Sequence, residues 1–334
     1  MNTILGIFLS LFFGFVPMLI FAYIIYWLDR YEKEPKLLLG AVFCWGAIVA
    51  AGGAFLFNTV LGLGIYIFTG SEVASELSTG SFFAPIIEET LKGLAVLLVF
   101  LFFRREFDSI MDGIVYAAVT ALGFAATENA YYIYSYGFSE NGVSGLLILV
   151  FIRVILVGWQ HPFYTSFTGI GLAIARLNRP VLIKIIVPLA GWGISIFTHA
   201  LHNTLATIIP GLIGMFTTTI LDWSGWFMML LFILWAVYRE QRWIITQLRE
   251  EVTSGVISAA QYHTACSAWL QSFTRLSSLS SGKFQVTNRF YRLTTELAFK
   301  KQQLMKLGDE GGNTAAIDRL RAELTQLSPF AGAY

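Results

Sequence analysis

The sequence predicts an all-α membrane protein, a polytopic bundle of about seven or eight transmembrane helices followed by a helical cytoplasmic tail. Of the 334 residues, 56% are hydrophobic and 13% are charged, and the mean hydropathy is +0.66. A soluble domain carries about 25% charged residues. The first 28 residues contain no charge at all, and several later apolar runs reach the roughly 20 residues that a helix needs to cross a bilayer.

The apolar runs define the predicted spans in chain order. The uncharged start has no basic n-region and is too long for a cleaved signal peptide, so we expect a retained span. The run at 145–176 is too long for one upright helix and too short for two, which predicts a break at Gly158 or Pro162. The other predicted runs are 37–57, extending towards 68, then 82–103, 110–134, 181–208 and 225–238. The last of these is short, and an earlier start within 215–223 is the alternative.

The loops between these runs alternate in charge. Lysine and arginine follow the first, third, fifth and last runs, whereas the loops at 69–81 and 135–144 carry acidic residues and no basic ones. Because basic loops face the cytoplasm, we expect the N-terminus outside and the C-terminus inside.

A shift in charge density near Arg239 separates two predicted domains. Residues 1–239 hold 11 basic and 13 acidic residues, whereas the 95 residues from 240 to 334 hold 11 and 8. We therefore predict a transmembrane domain at 1–239 and a cytoplasmic tail at 240–334, with tail helices at 243–252, 258–273, 286–307 and 314–327. The tail carries no evident chemistry and is expected to serve an unknown partner.

The balanced charge excludes a nucleic-acid binder, and the distant Cys44 and Cys266 exclude a disulfide framework.

Ionisable side chains inside the apolar runs indicate a site, since each costs about 2.5–3.5 kcal/mol on insertion scales. In a helix, Lys92 can reach both Glu88 and Glu89. Two adjacent carboxylates at low dielectric resist ionising together, which suits a general base and its electrostatic helper. The alternative is a charge cluster at a helix N-terminus. The ionisable residues in the runs are Glu88, Glu89, Lys92, Glu128, Arg153, His161, His199 and His202.

Under the predicted topology, three helices bring polar groups to one level near the outer leaflet. Glu88, Glu128 and His202 lie about 9 Å, and His199 about 14 Å, from the outer ends of their runs. His161 reaches that level only if its run breaks. Interhelical hydrogen bonds are the alternative role for each histidine. We also expect Arg153 to pair with Glu128 or another buried acid, and Asp112 to complement a helix N-terminus.

These residues occur in motifs that resemble the PrsW-type bacterial intramembrane proteases over roughly residues 25–208, within the wider CAAX-protease superfamily. The motifs are Glu88-Glu89-x-x-Lys92, Asp112-Gly113-Ile114-Val115-Tyr116, Glu128-Asn129, His161, and His199-x-x-x-Asn203. The resemblance implies an intramembrane endopeptidase of the bacterial cytoplasmic membrane. Its substrate would be a single-span membrane protein, such as an anti-sigma factor. The implied site residues are Glu88 or Glu89 for water activation, Glu128, His161 and His199 to complete the site, Asn203 as oxyanion partner, and Lys92 and Asn129 in support.

The sequence allows two interpretations of the metal dependence of such a site. The sequence has no His-Glu-x-x-His spacing, and Lys92 disfavours a dication, so the residues favour metal-free glutamate catalysis without a cofactor. The alternative is a zinc ion held by Glu88, Glu128, His161 and His199.

Two other function classes stay open on the sequence alone. Buried Glu, Lys and His also build the relays of proton-coupled transporters, although no inverted repeat is seen. A non-catalytic membrane scaffold that recruits a partner through its tail is the third class.

Overall fold

The computed structural model describes residues 3–309 and 311–333, and these residues form helices joined by turns and loops, with no strand among them. The chain divides into two compact units. The first contains the residues up to Leu28, Glu34–Arg176 and Pro180–Phe232, and the second contains Asp29–Lys33, Leu177–Arg179 and the residues from Ile233 onwards. The predicted all-α class is confirmed. The predicted domain boundary after residue 239 falls inside a helix.

The first unit is built from long apolar helices. They are α1 (Thr3–Leu28), α2 (Lys36–Cys44), α3 (Ala51–Thr69), α4 (Glu72–Ser78), α5 (Ala84–Phe102), α6 (Ile110–Tyr132), α7 (Ser139–Val150), α8 (Gln160–Arg176), α9 (Val181–Ile208) and the start of α10 (Gly211–Gln247). Wider π-helical turns, which are frequent near functional sites, occupy Trp45–Ala50, Thr79–Phe83, Ile133–Phe138 and Phe151–Leu156.

The protein is a multi-pass membrane protein. By length and hydropathy, five helical stretches of the described chain can cross a membrane: Thr3–Leu28, Lys36–Thr69, Ile110–Arg176, Val181–Ile208 and Gly211–Thr253. The 67-residue stretch holds several helices, and α5 carries three ionisable residues. The count of about seven or eight spans therefore stays a prediction.

The expected break in the 145–176 run is confirmed. The chain leaves the helical path at Val157–Trp159, and α8 begins at Gln160. His161 therefore lies in the first turn of a new helix. The helix of the last run, α10, begins at Gly211, before 225 and before the alternative start within 215–223, because the polar residues of that stretch do not interrupt the helix.

Close helix packing holds α8 against α6. A Cβ atom on Gly169 would lie 1.9 Å from the carbonyl oxygen of Gly113, and a Cβ on Gly113 would lie 2.2 Å from that of Gly169. Only glycine allows this approach of the two backbones, as small residues do in membrane helix pairs. The start of α6 is fixed separately, because Ser109 and Asp112 form a capping box. The expected N-terminal role of Asp112 is thereby confirmed.

Gly169→Leu is expected to destabilise the protein by about 2–3 kcal/mol or more, because the new side chain forces α6 and α8 apart. The measurement is thermal unfolding in detergent. Gly40→Leu is the matched control, since a Cβ on Gly40 of α2 meets no atom within 4 Å. Equal melting temperatures for the two variants would contradict the close contact.

The second unit has its own hydrophobic core. Its helices after α10 are α11 (Arg249–Thr253), α12 (Ala259–Ala265), α13 (Ala268–Ser277), α14 (Phe284–Leu307) and α15 (Asn313–Leu327). Residues of α10, α14 and α15, including Ile244, Phe290 and Leu324, fill that core. The prediction of one helix at 258–273 is wrong, because Ser267 accepts a hydrogen bond from the Leu270 N–H and starts a separate helix.

Candidate active site

The centre of the candidate site is Lys92, whose side chain is completely buried. Its Nζ lies 2.8 Å from Glu89 Oε1 and 3.5 Å from Glu88 Oε2, as the spacing on α5 predicted. The ammonium also lies 3.9 Å from the centre of the Phe124 ring on α6. A buried ammonium needs such partners, since an isolated charge at low dielectric is very costly.

Glu89 is fully engaged within this cluster. Its Oε1 accepts from Lys92 and lies 3.0 Å from His199 Nδ1, and its Oε2 accepts from Thr165 Oγ1 at 2.8 Å. An imidazole that donates from Nδ1 to a carboxylate keeps its Nε2 free of a proton when it is neutral. Glu89 therefore fixes both the orientation and the tautomer of His199.

Glu128 on α6 holds the second histidine. Its Oε2 lies 2.8 Å from His161 Nε2 and accepts a hydrogen bond from Arg153, which confirms the expected pairing of Arg153 with Glu128. The Arg153 Nε donates to Asn129 Oδ1 at 2.9 Å. Asn129 thus supports the arginine rather than touching the reacting centre.

Glu88 differs from the other two carboxylates in its hydrogen bonding. Its Oε2 is buried and accepts no hydrogen bond from the described residues, and His199 Nε2 lies 3.8 Å away. His161 Nδ1 lies 3.1 Å from Lys92 Nζ, and the rings of His161 and His199 are 5.3 Å apart. The five acidic and imidazole groups expected to meet, Glu88, Glu89, Glu128, His161 and His199, are therefore together in the structure.

Asn203 has a different contact from the one expected. Its Nδ2 donates to the carbonyl oxygen of Gly80, at 2.9 Å, on the π-helical segment that leads into α5. This bond ties α9 to the entry of α5. Its role as an oxyanion partner stays a prediction.

Sequence reasoning missed a second polar cluster beside the first. The buried Asp222 of α10 accepts from Gln160 Nε2 at 2.7 Å and from the Tyr164 hydroxyl at 3.1 Å, and its Oδ2 lies 2.9 Å from His202 Nδ1. Tyr164 stacks on His199 with ring centres 5.0 Å apart. The available signal was an acidic residue inside an apolar stretch, which is the signal that identified Glu128.

Three side chains of the cluster form a donor set for a divalent metal ion, and the Lys92 ammonium lies 3.1 Å from His161 Nδ1, the ring nitrogen that does not contact Glu128. Glu88, His161 and His199 each offer one ligand atom, and these atoms lie within 4.8 Å of one another. Two imidazoles and one carboxylate are a known ligand set for catalytic zinc, and a carboxylate partner on the other imidazole nitrogen, as for His199, is typical of such ligands. Glu128, the fourth expected ligand, is not in this group and contacts His161 instead.

The charged groups of the cluster carry one more negative charge than positive charges. Three carboxylates, those of Glu88, Glu89 and Glu128, face the two cations Lys92 and Arg153. With both histidines neutral, one negative charge is uncompensated among these groups. A proton or a bound cation can neutralise that charge.

Comparison with known proteins places these residues in a family. The model of the PrsW family intramembrane metalloproteases matches residues 34–260, a range that includes every residue of both polar clusters. No solved structure matches the chain.

Three similar proteins from other bacteria are each named Protease PrsW. Protease PrsW of Clostridioides difficile (strain 630) is 36% identical over 121 residues, covering 36% of this chain and 48% of the relative. Protease PrsW of Geobacillus kaustophilus (strain HTA426) is 30% identical over 141 residues, covering 42% and 55%. The chain thus spans about half the length of these two. Protease PrsW of Bacillus subtilis (strain 168) is 26% identical over 202 residues, covering 59% and 86%.

Proposed function

The chain belongs to the PrsW family of intramembrane metalloproteases, and from that premise we propose that it is an endopeptidase that hydrolyses a peptide bond of a membrane-spanning protein. The observation that carries the proposal is the buried cluster in which three carboxylates meet His161 and His199. Ionisable groups inside membrane helices face a wet cavity or a pathway and mark functional sites.

We assign water activation to Glu88. Its Oε2 accepts no hydrogen bond from the described residues, and Glu88 lines a cavity of about 550 Å³. A carboxylate in that state takes a proton from water, and the hydroxide attacks the scissile carbonyl carbon. The carboxyl group then returns the proton to the departing amine, so that the peptide bond breaks into a carboxylate and an amine.

The other charged groups position the two imidazoles. Glu89 holds His199 and neutralises Lys92, while Glu128, itself held by Arg153, holds His161. Since the orienting groups are themselves buried and bonded, the rings are preorganised before substrate arrives. Asn203 acts at longer range by fixing the segment that carries Gly80 into α5.

The residues that would hold a metal ion are His161, His199 and Glu88, each through one atom, which would leave the second carboxylate oxygen of Glu88 to take the proton from water. When bound, a divalent ion supplies Lewis acidity, which polarises a carbonyl group and acidifies water. The family description and the convergence of the three ligands favour such an ion over the metal-free mechanism that the residues alone favour.

Purified protein is expected to carry about one divalent ion per chain, measured by elemental mass spectrometry. His199→Ala is expected to lose most of that ion. His202→Ala is the matched control on the same helix, because His202 contacts Asp222 and Gln160 instead. Full hydrolytic activity in protein that carries no metal would contradict the proposed metal site. Glu88 would then act as the general base in a metal-free reaction.

The activity is tested with purified protein in liposomes and a single-span test substrate. We expect cleavage within or near the span, mapped by mass spectrometry of the products. A proton-coupled transporter would move solute and leave the substrate intact, and a scaffold would do neither. Absence of cleavage over a panel of spans would contradict the proposal.

We further propose that the protein lies in the bacterial cytoplasmic membrane, with its N-terminus outside and its C-terminus in the cytoplasm. The basic loops support this orientation. The substrate would be a single-span signalling protein such as an anti-sigma factor, and the tail would bind a further partner.

A further inference from the structure

A cleft between α3 and α6 leads to the candidate active site. Its volume is about 550 Å³, which lies within the range of ligand pockets. One wall carries residues of α3 at helical spacing, including Ala51, Ala54 and Asn58, and the other carries a matching stripe of α6. The cleft therefore follows residues 51–59 of α3 and residues 124–132 of α6.

The inner end of the cleft contains the reacting groups. Glu88 of α5 and Glu128 of α6 both line it, and Glu88 Oε2 is the carboxylate oxygen without a hydrogen bond among the described residues. A peptide segment lying in the cleft would therefore place a main-chain carbonyl group next to the group that activates water.

The α3 wall is small and apolar at Ala51, Gly52 and Ala54, and Phe55 also lines it. Ala51 and Ala54 are buried there, and a Cβ atom built on Gly52 meets no other atom within 4 Å. Such a wall leaves room for a large apolar side chain of a ligand, which gains about 25 cal/mol per Å² of apolar surface removed from water.

Asn58 adds a polar feature to this wall. Its Oδ1 is buried and accepts no hydrogen bond from the described residues, a state that costs about 1–3 kcal/mol. A membrane-spanning helix that unwinds for cleavage frees main-chain N–H groups, and each of these needs an acceptor in the bilayer. The unpaired acceptor of Asn58 and the unpaired donors of an unwound span are complementary.

We propose that this cleft is the substrate-binding subsite, which takes an unwound apolar segment with a large apolar side chain against Gly52 and a main-chain N–H donated to Asn58. The proposal rests on the proposed protease function. It adds the substrate class to that function. A segment of small residues would leave the space beside Gly52 empty, and an intact helix would offer no free main-chain N–H to Asn58.

The size of the subsite is tested with Gly52→Phe. Single-span test substrates, with cleavage sites mapped by mass spectrometry, carry Gly, Ala, Leu or Phe beside the scissile bond. Wild-type protein is expected to prefer Leu and Phe. Gly52→Phe is expected to reduce kcat/KM for those two by about tenfold or more, while the Gly and Ala substrates are cleaved nearly as before. Gly40→Phe, on open surface of α2, is the matched control, and an equal effect of Gly52→Phe on all four substrates would overturn the subsite.

The role of Asn58 is tested with an ester in place of successive main-chain amides of the substrate. At one position the ester removes the donated N–H and is expected to raise KM for wild-type protein by about fivefold or more. In Asn58→Leu that same ester is expected to cost nothing further. An ester effect of the same size in both proteins would contradict the hydrogen bond.

Binding is read separately from hydrolysis by a photocrosslinker. Benzoylphenylalanine in place of Phe55, an exposed aromatic residue that also lines the cleft, is expected to capture a labelled test span, and the same group at position 40 is not. Capture at 55 without cleavage by wild-type protein would support the subsite and contradict the proposed hydrolysis. Cleavage by wild-type protein without capture at 55 would overturn the subsite and leave the hydrolysis standing.

Discussion

Glu88→Gln is expected to lower the rate of peptide hydrolysis by about a thousandfold, within the range that general acid–base catalysis contributes. Glutamine keeps the size of the side chain but cannot take a proton from water. Because Glu88 Oε2 accepts no hydrogen bond from the described residues, the substitution breaks no such bond, and Lys92, which lies 3.5 Å from that oxygen, keeps Glu89 at 2.8 Å as its closer counterion. The melting temperature is therefore expected to stay close to that of wild type, and the loss to fall on kcat.

The control for this variant is Glu76→Gln, which changes an exposed carboxylate on α4. Its rate is expected to match wild type. A Glu88→Gln protein that folds, binds the test span and hydrolyses it at the wild-type rate would remove Glu88 from the reaction and direct attention to Glu128, the other acid that lines the cleft.

The helices were predictable because hydropathy alone determines which segments leave water. The runs at 82–103 and 181–208 became α5 and α9 almost residue for residue. Charges inside those runs identified most of the site for the same reason, since a bilayer tolerates Glu88 or His199 only where partners compensate for the lost hydration.

The parts that could not be predicted depend on contacts between helices. Asn203 shares a face of α9 with His199, but its amide bonds to Gly80, and no local pattern indicates that partner. Asp222 was missed because it lies before the predicted run at 225–238, outside the apolar runs whose ionisable residues indicated the site, although its bonds to Gln160 and Tyr164 form beside the histidines. The break before His161 was predictable from Gly158 and Pro162, whereas the place of the new helix start was not.

Glu89 differs from its neighbour in that its carboxylate is bound on all sides. It is completely buried and accepts from Lys92 and Thr165, with His199 Nδ1 at 3.0 Å. Removing one partner of a buried ion pair leaves the other charge uncompensated, which costs about 3–5 kcal/mol. Stability and activity should therefore respond together at Glu89, in contrast to Glu88.

Glu89→Gln is expected to lower the free energy of unfolding by about 3–5 kcal/mol and to abolish most hydrolysis, because Lys92 loses its nearest counterion and His199 its anionic partner. The double variant Glu89→Gln/Lys92→Met removes one charge of each sign, so it is expected to regain most of the stability but little of the activity. Thermal unfolding and kcat, measured on the same preparations, separate the two effects. Glu323→Gln, which alters an exposed pair with Arg289, is the control and should shift neither, since exposed pairs contribute about 0–1 kcal/mol. Recovery of full activity in the double variant would show that Glu89 serves only to neutralise Lys92, and that the orientation of His199 does not depend on a carboxylate.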